Sequence, residues 1–159
     1  MTTNLVSRML SAVLGGVLGC LLLAGPAHAQ AISTFTVQAS GSVTTPTETV
    51  NFSGPIQLIA TVVNDPAGGP ATSVVSVDAR QLVATGATSG AVFINSGQAQ
   101  LTRVFGATDA IATTFAFFPP GPGGFLKTRT ALATLNLTYN VTTQALTGAT
   151  ATISTAKFP

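Results

Sequence analysis

The chain has one cysteine, one histidine, one tyrosine, two methionines and no tryptophan in 159 residues. The cysteine, the histidine and both methionines fall near the start, as Cys20, His28, Met1 and Met9. From Gln30 onward there is no thiol and no imidazole. That absence excludes a disulfide in the later part of the chain. It excludes zinc, copper or haem held by imidazole or thiolate, and Ser-His-Asp or Cys-His catalysis. A general acid/base pair would have to come from Glu48, Asp65, Asp78 and Asp109, which occur singly and in no motif. We therefore assign no catalytic residue, no metal ligand and no cofactor, and expect a protein that is not an enzyme. Without histidine, no side chain of ordinary pKa titrates between about pH 5 and 8, so stability should be nearly flat there.

Charge is also scarce. Beyond residue 29 the four acids face Arg80, Arg103, Lys127, Arg129 and Lys157. Charged residues make up 6% of the chain, whereas soluble domains usually carry them on about a quarter or more of the surface. Nothing resembles the basic stripe that nucleic acid requires, so none is expected as a partner. The low charge has two readings. The surface is coated by Thr and Ser hydroxyls, or it is covered by neighbours in a fibre.

One long apolar run is present, from Met9 to Ala24, preceded by Arg8 and broken by Gly25-Pro26. Ala27-His28-Ala29 then supplies small residues at the two positions a signal peptidase reads, with Gln30 as the new start. Residues 1–29 read as a helical secretory signal peptide, and 30–159 as one domain. An uncleaved anchor is the alternative, but the run is short for a span and holds Gly15-Gly16. A lipobox at Val17-Leu18-Gly19-Cys20 is another, with Leu18 where a small residue is normal. The expected location is outside the bacterial cytoplasm: periplasm, cell surface or medium. No transmembrane span is expected in the mature chain.

What remains is rich in Thr, Ala, Val, Gly and Ser, with period-two alternation broken by turn residues. Eight strands are predicted: Thr34–Val43, Ile56–Val63, Ser73–Val83, Ala91–Ile94, Gln98–Phe105, Ile111–Phe118, Thr128–Val141 and Leu146–Thr155. The fold class is all-β, an antiparallel sandwich of about seven or eight strands, immunoglobulin-like or jelly-roll-like. An outer-membrane barrel is disfavoured by the lack of aromatic girdles.

The most distinctive stretch runs from Phe117 to Arg129 and contains Pro119-Pro120-Gly121-Pro122-Gly123-Gly124. Phe118, Pro119, Pro120 and Phe125 with Lys127 and Arg129 form a candidate binding platform, apolar with a basic rim. The competing reading puts its Phe side chains in the core. Asn64, Asp65 and Asp109 are loop oxygens, too few for a Ca²⁺ site. A glycan site would want stacking aromatics, and alternation places Tyr139 in the core.

The low charge and Ala/Thr/Val/Gly-rich composition resemble fimbrial subunits. That resemblance implies self-association by strand addition, with Ile32–Val43 as a donor strand; the preferred reading makes this stretch the first strand of its own sheet. The sequence departs from the fimbrial pattern: the usual Cys pair is missing, and the penultimate aromatic is not of the usual kind, being Phe158 followed by Pro159. The stretch from Leu135 to Gly148 is similar to hairpins of small exported bacterial β-sandwich proteins of no assigned activity. The expected partner is a protein, either a second copy or an envelope component.

Overall fold

A computed structural model describes Gln30–Ala156, and the signal-peptide reading, with Ala27 and Ala29, lies outside the described residues. The described chain is all-β. Its strands are β1 (Ala31–Thr44), β2 (Thr49–Val63), β3 (Thr72–Asp78), β4 (Val83–Gly86), β5 (Val92–Asn95), β6 (Gln98–Val104), β7 (Thr108–Phe118), β8 (Arg129–Tyr139) and β9 (Leu146–Thr155). A single 3₁₀ turn, Gly124–Lys127, interrupts the β7–β8 connection. No helix of the described residues is long and apolar enough to cross a membrane.

Alternation sets the inward face, because successive side chains of a strand point to opposite sides. Along β8, Ala131, Ala133, Leu135, Leu137 and Tyr139 are buried in strict period two. Along β7, Ile111, Phe115 and Phe117 are buried likewise. β-Branched Thr and Val on both faces favour the pleated backbone.

The nine strands form one sheet in the order β1-β9-β8-β7-β5-β4-β2-β3-β6, and β1 also pairs with β2. Seven strands, β1, β9, β8, β7, β5, β4 and β2, thus make a closed hydrogen-bonded circuit, with β3 and β6 branching from β2. The branch point has a local cause. Gly54 takes φ 137° and Pro55 offers no N–H. β2 divides there: Val50–Ser53 pair with β4, and Gln57–Val63 pair with β3.

Aromatic rings pack within the core, some between strands that are not neighbours in the circuit. Phe52 of β2 lies edge-on to Phe115 (5.7 Å) and Phe117 (5.1 Å) of β7, and Phe93 of β5 lies against Phe117 (5.9 Å). Phe105 meets Tyr139 at 5.4 Å. Edge-to-face geometry suits the ring quadrupoles.

Three expectations are corrected. The sheet is mixed rather than antiparallel throughout, because β1 runs parallel to β9 at Ala39–Gly41. The strand expected over Ser73–Val83 is two, β3 and β4, split by a turn in which the Leu82 N–H donates to the Ala79 carbonyl. The second strand starts at Thr49, seven residues earlier than its apolar run suggests. The stretch Ile32–Val43 pairs with β2 of its own sheet over the full length of β1.

Candidate functional site

The Phe117–Arg129 stretch begins at the end of β7, where the alternation separates neighbours. Phe117 is buried and Phe118 turns outward, half-buried. Prolines 119, 120 and 122 then end the ladder, because they lack the N–H it needs. Gly121 (φ 96°) and Gly123 (φ 72°) take left-handed conformations open to glycine at little cost. Gly124 is buried so closely that a Cβ there would lie 1.9 Å from the Pro119 carbonyl oxygen.

These constraints fold the connection into a hydrogen-bonded tip. The Gly124 N–H donates to the Gly121 carbonyl at 3.0 Å, and the Leu126 N–H to the Gly123 carbonyl at 3.1 Å. The Phe125 carbonyl accepts from the Thr128 N–H and hydroxyl. The backbone is therefore tied down while two large apolar side chains face solvent, Phe125 at 66% and Leu126 at 77% exposure. Phe125 belongs to the surface, and the alternative reading that put it in the core is set aside.

Pro119 is half-buried and Pro120 exposed, and Lys127 and Arg129 are exposed beside them. A cleft of about 220 Å³ is lined by Thr45, Thr47, Glu48, Phe93, Pro119, Lys127 and Arg129. Arg129 also borders a second cleft of about 270 Å³ with Thr45, Thr128 and Thr155. Among the described residues, neither Lys127 nor Arg129 has a carboxylate within ion-pair distance. The nearby acid, Glu48, accepts from the Thr88 and Ser89 N–H groups and from the Ser89 hydroxyl. Donation from Ser89 lowers its pKa, so it stays ionised. Two cations to one anion leave the rim positive.

The structure brings the six predicted platform residues into one connection and its flank. It adds some the sequence did not single out. Leu126 is one, although it lies inside the stretch. The others are Val83, Val92 and Ile94, exposed on the outer face of β4 and β5. Ile94 is the cross-strand partner of Phe118, so this apolar strip runs up to the start of the tip. Alternation around buried Ala84 was the available signal, but it required knowing that β4 and β5 pair.

Other candidates are held elsewhere. Asp65 accepts from the Ala67 N–H within its own turn, and Asp109 pairs with Arg103. No group of three His, Cys, Asp or Glu gathers among the described residues. Tyr139 is 5% exposed, in the core. A cleft of about 420 Å³ with a mixed polar and apolar lining lies over β2, β3 and β6, bordered by Gln57, Ile59, Val77, Asp78, Gln98 and Gln100 among others. No family model matches the chain, and neither curated proteins nor solved structures give a match.

Proposed function

We propose that this is an exported, non-enzymatic β-domain of the bacterial envelope or extracellular space, acting as a docking module through the tip of its β7–β8 connection. The observation that carries the reading is the tied-down pair Phe125 and Leu126, both exposed, beside the cations Lys127 and Arg129, which have no ion-pair partner among the described residues. Burying each apolar side chain on a partner contributes about 1.5–3 kcal/mol. The turn is already ordered, so little loop entropy opposes binding. The closed circuit supports a flattened, two-layered sandwich as the scaffold, with Phe52 packed across to Phe115 and Phe117.

The test is co-sedimentation with bacterial envelope fractions of a chain starting at Gln30. Among the described residues the core cluster lies between Val37 and Ile153, and β1 starts at Ala31, so that chain keeps every described strand. Binding that disappears in the Phe125→Ser/Leu126→Ser double variant supports the reading. Equal binding of variant and wild type overturns it.

A second reading is self-assembly into a fibre by strand addition. β6 supports it, because among the described strands its only hydrogen-bonded neighbour is β3. Its free edge carries a single charge, Arg103, as guard. Sedimentation at rising concentration separates the two, since a persistent monomer excludes the fibre.

A further inference from the structure

We infer that the Phe125–Leu126 tip enters the interfacial layer of an anionic lipid bilayer, with Lys127 and Arg129 at the headgroup phosphates. The inference rests on the docking reading above and names its partner.

The first argument is shape. Phe125 and Leu126 are adjacent residues on one four-residue turn. A stable protein interface covers about 800 Å² on each partner, more than two side chains supply. A bilayer accepts apolar side chains singly, and its affinity scales with apolar area plus attraction to anionic lipid.

The second argument is charge. Lys127 follows Leu126 directly and Arg129 lies two residues on, so the cations flank the apolar pair as a lipid interface requires. The cleft holding both also presents Thr45 and Thr47, and is wide enough for a headgroup phosphate. Among the described residues the Arg129 guanidinium donates only to the neighbouring Thr128 carbonyl (3.1 Å), and its other N–H groups can reach an anion. Glu48, the one acid among the described residues of this cleft, is already engaged by Ser89 and Thr88.

The third argument is the surrounding surface. Val83, Val92 and Ile94 continue the apolar area from Phe118. The membrane-facing side thus has no charged residue on β4 or β5 to desolvate.

The absence of tryptophan from the whole sequence offers a direct readout. In the Gln30-start chain, Phe125→Trp places a single indole at the tip. Its emission should shift to the blue on vesicles of phosphatidylglycerol and phosphatidylcholine in equal parts. It should stay unshifted on phosphatidylcholine alone, and high salt should reverse the shift. Val141→Trp is the control. Val141 is exposed beyond the far end of β8, about 33 Å along the strand from Arg129, and its emission should not change. Lys127→Gln/Arg129→Gln should weaken binding roughly 30-fold. Wild-type co-sedimentation with the same vesicles gives a second measurement that needs no variant.

No shift and no co-sedimentation on anionic vesicles overturns the inference, as does equal binding to neutral ones. If the vesicles are silent but tip-dependent binding to envelope fractions persists and is abolished by protease, the partner is an acidic protein. The lipid assignment then fails while the docking reading survives. Loss of both fails both.

Discussion

Arg103 on β6 reaches Asp109 on β7, Nη2 to Oδ1 at 3.3 Å, across two strands that share no ladder. Asp109 is 13% exposed at the side chain, and its Oδ2 is buried without a hydrogen-bond partner among the described residues. Removing Arg103 therefore leaves a mostly buried carboxylate with less compensation, which costs more than an exposed pair would. We expect Arg103→Ala to destabilise the fold by about 1–2 kcal/mol. Arg80→Ala, at the more exposed Asp78 pair, should cost under about 1 kcal/mol. Urea titrations of both variants check the order. A larger loss for Arg80→Ala would contradict it.

Stability should be flat through neutrality and fall at both extremes. Hydrogen bonds from Arg80 (Nη2 to Oδ2 2.7 Å), with help from Gln98, hold the Asp78 pKa at about 2 against an ordinary 3.8. A lowered folded pKa gives stability that is present above about 3.8 and is lost as pH falls through about 2. Glu48, lowered by Ser89, acts in the same direction. Burial, then the Asp109 charge, raises the Tyr139 pKa above its ordinary 10.0. That stability is present below about 10 and is lost as pH rises through the raised value. No histidine occurs after residue 28, so a melting series should show no transition near pH 6.

The strands were readable wherever one face is continuously apolar. β8 and β9 were placed to within a residue or two at most ends, because Leu135, Leu137 and Tyr139 alternate without interruption. The Asn140–Ala145 hairpin was readable too. It is closed by the Asn140 N–H donating to the Ala145 carbonyl, and the Asn140 side chain accepts from the Thr142 and Thr143 N–H groups. The start of β2 was not, since Asn51, Ser53, Gly54 and Pro55 look like a turn. They are a strand bending between two partners. The parallel β1–β9 contact is non-local, and no local pattern marks it. At the candidate site, composition located the Phe117–Arg129 stretch but left Phe125 open between core and surface. The choice depended on how Gly124 packs against Pro119.

Two phenylalanines eight residues apart should respond in opposite ways. Phe117 is fully buried between the rings of Phe52 and Phe93. Phe117→Ala should cost about 3–5 kcal/mol through lost burial and a residual cavity. Phe125→Ala should change stability by less than about 0.5 kcal/mol, because its side chain is already in water. Thermal melts of the two variants decide. A large loss for Phe125→Ala would return that ring to the core and remove the platform.

Gly41 is fixed by backbone proximity rather than by a turn. It is the partner of Ile153 in the parallel β1–β9 pairing, which spans only Ala39–Gly41. A Cβ at 41 would lie 1.9 Å from the Ile153 carbonyl oxygen and 2.9 Å from its nitrogen. Those atoms are backbone and cannot rotate away, so β1 and β9 would have to part where the circuit closes. We expect Gly41→Ala to cost about 2–3 kcal/mol. It should also speed amide exchange at Ala151–Ile153 before other strands respond. Gly106→Ala is the matched control, since its nearest atom, the Thr108 carbonyl oxygen, lies at an ordinary 3.5 Å. It should stay within about 0.5 kcal/mol of wild type. If Gly41→Ala melts with wild type, β1 and β9 do not approach this closely and the circuit is open at that point.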